Sequence, residues 1–114
     1  DFWLVESAAE YMSMRYVEHA FGAEELAKNI AAKRDATKDA GPVMGHGRPN
    51  RVQLYGKGPL LLLDLEHRIG RPAMDRLMIA MAKEPVHTTP VFLKHLTAIA
   101  GADAAREFEK ALHT

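Results

Sequence analysis

The chain has 114 residues, 47% apolar and 26% charged, with 15 basic residues balanced by 15 acidic ones. This is one domain or part of one, able to build a core, and at zero formal net charge it is not a dedicated nucleic-acid binder. Cysteine is absent, excluding a disulfide framework, a thiolate zinc finger and a cysteine nucleophile.

The first segment, Asp1 to about Phe21, is dense in helix formers. Its apolar residues, among them Trp3, Leu4, Val5, Tyr11, Met12, Met14, Tyr16 and Phe21, run almost all the way round, as in a buried helix. Gly22 reads as its stop. A second helix is expected from Ala23 to Thr37, with Glu24 and Glu25 in its first turn and Lys33 and Arg34 near its end, as the macrodipole favours. Its thin apolar stripe (Leu26, Ala27, Ile30, Ala31) places it on the surface. Lys38 to Asn50, with Gly41-Pro42, Gly45, Gly47 and Pro49, is a loop.

A leucine-rich third helix begins near Val52 and ends before Gly70. Pro59 lies inside it and implies a local distortion. A fourth helix runs from Pro72 to about Lys83, with Met74, Leu77, Met78 and Met81 inward. A fifth runs to Ala100, capped by Thr88 or Thr89, with Phe92 and Leu96 at helical spacing. Asp103 is the expected cap of a sixth, Ala104 to Leu112, with Phe108 and Leu112 inward. No stretch alternates as a strand does. The class is all-α, a single helical unit of five to six helices over residues 1–114.

Most candidate chemistry dissolves on inspection. The histidines (His19, His46, His67, His87, His95, His113) include no pair three or four residues apart, so no helix face offers a paired metal site. No serine sits in a nucleophile-elbow pattern. The glycines of the long loop lack phosphate-cradle spacing. The longest apolar run, Pro59 to Leu63, is far too short for a membrane span. No signal peptide is visible, and the compartment, cytoplasmic or membrane-attached, stays open.

Two features stand out. Glu6 lies in the apolar stretch Trp3-Leu4-Val5-Glu6-Ser7-Ala8-Ala9-Glu10-Tyr11, with Glu10 one turn on. Such carboxylates face solvent or meet a cation, because burial without a partner is costly. The other is Tyr55-Gly56-Lys57-Gly58-Pro59 ahead of the leucine-rich helix. Glycines at a helix start cost stability, so something is expected to approach this backbone closely.

In this order the two features resemble the gluzincin metallopeptidases of the aminopeptidase N and leukotriene-hydrolase type. That family carries H-E-x-x-H on one helix, then W-L-N-E-G-x-A-x-Y on the next, then Y-x-K-G ahead of an apolar helix. Gly101-Ala102-Asp103 and Phe108 are similar to the close of its catalytic domain. Val5 and Ser7 stand where the family has Asn and Gly, and Gly56 where Glu is common. The H-E-x-x-H helix is not in these residues, and a start at Asp1 without Met fits a chain cut just downstream of it.

The resemblance implies the C-terminal helical half of a catalytic domain, a fragment inactive alone. Glu6 would be the third zinc ligand, Tyr55 the donor to the oxyanion of peptide hydrolysis, and Glu10 at most a group behind the ligand. Zinc would belong to the parent, with a peptide substrate and no nucleic acid. No zinc is expected bound stoichiometrically to this chain. Self-association is expected through the Trp3, Val5, Tyr11 and Met14 faces of the first helix. The competing reading is a non-catalytic helical interaction or scaffold domain.

Overall fold

The computed structural model describes residues 2–45 and 49–114, with side chains from Trp3 onward. The expectations for Asp1, His46 and Gly47 lie outside these residues. The described residues form α1 (Phe2–Phe21), α2 (Ala23–Thr37), a π-helical turn (Gln53–Lys57) continuous with α3 (Gly58–Ile69), α4 (Arg71–Ala82), α5 (Thr89–Ala100) and α6 (Ala102–Leu112), with no strand. The protein is all-α.

Helix starts follow local chemistry. Thr88, extended at φ −101°, accepts from the Val91 amide at 3.3 Å and caps α5. At α6 the cap expectation fails. Gly101 at φ 99° turns the chain straight out of α5, so the helix already includes Ala102. Asp103 therefore falls in the first turn, where it suits the dipole and pairs with Arg106.

The core gathers on α3. Leu60, Leu62, Leu63 and Leu65 are buried against α1 on one side and α6 on another, while α4 and α5 close the far side. Trp3 enters from α1 and meets Phe92 of α5 and Phe108 of α6, with ring centroids 6.4 and 6.1 Å away. Its indole N–H donates to Thr89 Oγ1 at 2.9 Å, so the large ring is buried without an orphaned donor. α2 lies outside and buries only Leu26.

α1 is not apolar on all sides in effect. Trp3, Leu4, Tyr11 and Met14 are buried, so the expected exposure of Trp3, Tyr11 and Met14 does not occur; Trp3 is covered by rings of α5 and α6, and Tyr11 bonds Glu66 of α3. Of those four named faces only Val5 is open, at 49% exposure, and Met12 and Tyr16 are open with it. No helix among the described residues is long and apolar enough to cross a membrane.

The 38–50 stretch is tied down where it is described. Val43 is buried, the Met44 amide donates to the Leu112 carbonyl at 2.8 Å, and Gln53 Nε2 donates to the Pro42 carbonyl at 3.0 Å.

Candidate functional site

The site begins with the distortion that Pro59 imposes. In an uninterrupted α-helix the Gly58 amide would bond the Leu54 carbonyl and residue 59 would bond Tyr55. Pro59 has no N–H, and its ring crowds the carbonyl four residues back. The chain responds by widening one turn. Gly58 N–H reaches back five residues to the Gln53 carbonyl, closing a π-turn. That leaves the Leu54 carbonyl without its helical donor. Ser7 of α1 supplies one, donating Oγ–H at 2.8 Å from a fully buried position.

The two glycines of this turn are there for close approach. A Cβ on Gly58 would overlap Ser7 Oγ and lie 2.7 Å from Ser7 Cβ; one on Gly56 would lie 2.5 Å from Thr37 Cγ2. What approaches the backbone is thus the chain's own α1 and α2.

The neighbours of these two residues meet on the outer side. Glu6 precedes Ser7 and Tyr55 follows Leu54. The Tyr55 hydroxyl donates to Glu6 Oε2 at 2.6 Å, across 49 residues of sequence, in a solvent-exposed position. The bond to Glu6 raises the Tyr55 pKa above the ordinary phenol value, with desolvation and the Glu6 charge adding to it and the Arg51 guanidinium opposing it. The phenol is therefore neutral and a donor throughout the physiological range. Arg51 lies over its ring, 5.9 Å from the centroid. Glu6 meets neither open solvent alone nor a cation: its partner is the other residue singled out from the sequence.

Glu10, one turn further along α1, faces α2 instead. It pairs with Lys33 Nζ at 2.7 Å, a partly buried ion pair. Together with Asn29, Thr37, Arg51, Tyr55 and Gly56 it lines a groove of about 570 Å³ between α1, α2 and the π-turn. In its wall the Asn29 Oδ1 is shielded from solvent with no hydrogen-bond partner among the described residues.

No group of three or more His, Cys, Asp or Glu able to hold a metal ion occurs among the described residues. A zinc site takes three or four protein ligands. A surface carboxylate held by one phenol has the chemistry of a single oxygen ligand, and the described residues bring no histidine to join it.

Sequence reasoning overlooked the buried centre of α3. Glu66 is 4% exposed and accepts from the Tyr11 hydroxyl and, at 3.1 Å, from Arg71 Nη2; Arg71 Nη1 also reaches Glu18 at 2.9 Å. Nothing near Glu66 in sequence marks it, since Tyr11 lies 55 positions away. Ser7 was equally unremarked except as a departure from the family pattern. Comparison with protein-family models, with curated proteins and with solved structures finds no match.

Proposed function

We propose that this chain supplies part of a zinc peptidase site: the C-terminal helical half of a gluzincin catalytic domain, inactive by itself. The observation that supports the reading is the Glu6–Tyr55 contact. A metal-ligating carboxylate and an oxyanion-stabilising phenol have to share one accessible place, and these two side chains touch at the surface. The scaffold alternative expects Tyr55 in the core and Glu6 pointing to solvent; the exposed Tyr55 speaks against it, while Glu6 at the surface suits either reading.

In the parent, Glu6 and two histidines of a separate helix would hold zinc, and the metal would supply Lewis-acid polarisation for peptide hydrolysis. Glu6 contributes a hard oxygen donor and negative charge. Tyr55, kept protonated by its surroundings, contributes a hydrogen bond that strengthens as charge develops on the carbonyl oxygen. With a cation on the Glu6 carboxylate, the Tyr55 phenol, now bonded to Glu6, would be free to donate to substrate. Glu10, already neutralised by Lys33, holds α1 against α2 behind Glu6.

The test begins with the residues encoded ahead of Asp1, where H-E-x-x-H should stand about eighteen positions before Glu6. In a protein that includes them, Glu6→Gln should lose zinc on dialysis, read by metal analysis. Tyr55→Phe should keep the metal and lower kcat by about 10²–10³-fold. The 114-residue chain alone should retain no stoichiometric zinc and hydrolyse no peptide. Absence of the histidine motif, or tight zinc binding by this chain alone, would overturn the proposal.

A further inference from the structure

The catalytic reading needs Glu6 and Tyr55 to stay in register although they belong to separate elements, and an exposed hydrogen bond is a weak way to fix a geometry. The structure holds a second, buried bond directly behind it. Ser7 is the neighbour of Glu6 and Leu54 the neighbour of Tyr55, and their bond at 2.8 Å is fully shielded.

Three independent features converge on Ser7. The Leu54 carbonyl is orphaned because Gly58 bonds Gln53 and Pro59 has no N–H. The serine hydroxyl is the donor that satisfies it, and a buried carbonyl left bare is costly. Gly58, lacking a Cβ, lets α1 approach so closely that only a small side chain fits at position 7. Alanine would fit the space but leave the carbonyl bare; threonine would donate but add a methyl to a space already filled.

We propose that Ser7 is the positioning residue of this site: its buried hydrogen bond to Leu54 and its contact with Gly58 lock the π-turn onto α1, so that the Tyr55 phenol is delivered to Glu6. The proposal rests on the reading of Glu6 and Tyr55 as a functional pair. It differs from a packing role in what it predicts for the exposed phenol, which Ser7 itself does not touch.

The test uses the 114-residue chain and needs neither metal nor substrate. With tyrosine labelled at Cζ, the Tyr55 resonance, assigned by its absence in Tyr55→Phe, reports the hydrogen bond of the phenol at neutral pH. Glu6→Gln fixes the position expected when the charged acceptor is gone. Ser7→Ala should move the resonance to that position and abolish cross-relaxation between the Tyr55 ring and the Glu6 side chain. Ser7→Cys, slightly larger and a weaker donor, should move it part of the way, and it carries the test by itself should the alanine variant lose its fold. Phe108→Leu, a core change that packs on the Trp3 and Phe92 rings, should leave the resonance in place.

An unchanged Tyr55 signal in a folded Ser7 variant overturns the proposal, and so does an equal change in Phe108→Leu. The peptidase reading can fail, through a missing histidine pair, while Tyr55 still depends on Ser7. Conversely, Tyr55 can prove indifferent to Ser7 in a parent that hydrolyses peptides.

Discussion

Glu66 is the only carboxylate buried among the described residues, and its surroundings explain how it is tolerated. A buried charge needs a counter-charge and hydrogen bonds together; Arg71 supplies the first and Tyr11 helps with the second. Burial, the bond to Glu66 and the charge of Glu66 push the Tyr11 pKa well above the ordinary phenol range, in that order of size. The folded protein thus holds this proton more tightly than the unfolded chain does. Its contribution to stability is whole below about pH 10, the ordinary tyrosine pKa, and is lost as pH rises above it. Tyr11→Phe should therefore flatten the alkaline limb of a stability–pH profile measured by urea unfolding. At neutral pH it should cost about 1–3 kcal/mol, because Glu66 loses a donor in a dry place. Asn29 should behave in the opposite sense. Its shielded Oδ1 is unsatisfied, so Asn29→Leu should raise stability by about 1 kcal/mol in thermal melts.

At the scale of elements, the π-turn is where sequence was most and least informative. Pro59 within a leucine-rich run announced a distortion, since the missing N–H and the ring are local facts. The kind of distortion was not legible, because the widened turn is stabilised by Ser7 and bounded by Thr37, both distant in sequence. The Glu6–Tyr55 pair was legible only through motif resemblance; helical periodicity says which face a residue shares, not which other helix that face will meet. Glycine substitutions should rank accordingly. Gly58→Ala drives a methyl into buried Ser7 and should cost about 1–3 kcal/mol, as overpacking typically does. Gly56→Ala meets only a Thr37 methyl at 2.5 Å, which can shift, and should cost less when the two are compared by denaturant midpoint. Equal costs would mean that the turn relaxes away from α1.

For the whole molecule, one open apolar surface among the described residues is a groove of about 400 Å³ between α1 and α4, lined by Val5, Ala9, Met12, Met78 and Ile79 among others. Val5, Met12 and Ile79 are each about half exposed, at 49%, 46% and 56%. Contiguous apolar surface of this kind favours association. The expected self-association thus moves from Trp3, Tyr11 and Met14, which the chain buries itself, to this groove. Sedimentation equilibrium should show mass increasing with concentration, and Ile79→Glu should return the chain to a monomer. A monomer at every concentration would remove the expectation. The helix count and the inward residues of α4 to α6 were legible because each amphipathic stripe is a local pattern. The open groove was not, because Val5, Met12 and Met78 in its lining read as core by their spacing.

The aromatic cluster has a consequence for the order in which the molecule assembles. Trp3 belongs to the first helix, yet its shelter is built from Phe92, Phe108 and Thr89, residues 86 to 105 positions downstream by their numbering. During synthesis the large indole therefore emerges long before anything exists to receive it. Sequence-distant contacts of this sort carry the loop-closure cost that slows folding. A nascent chain lacking α5 and α6 is a sticky species, and its window of vulnerability to aggregation or to chaperone capture stays open until Phe108 has been made.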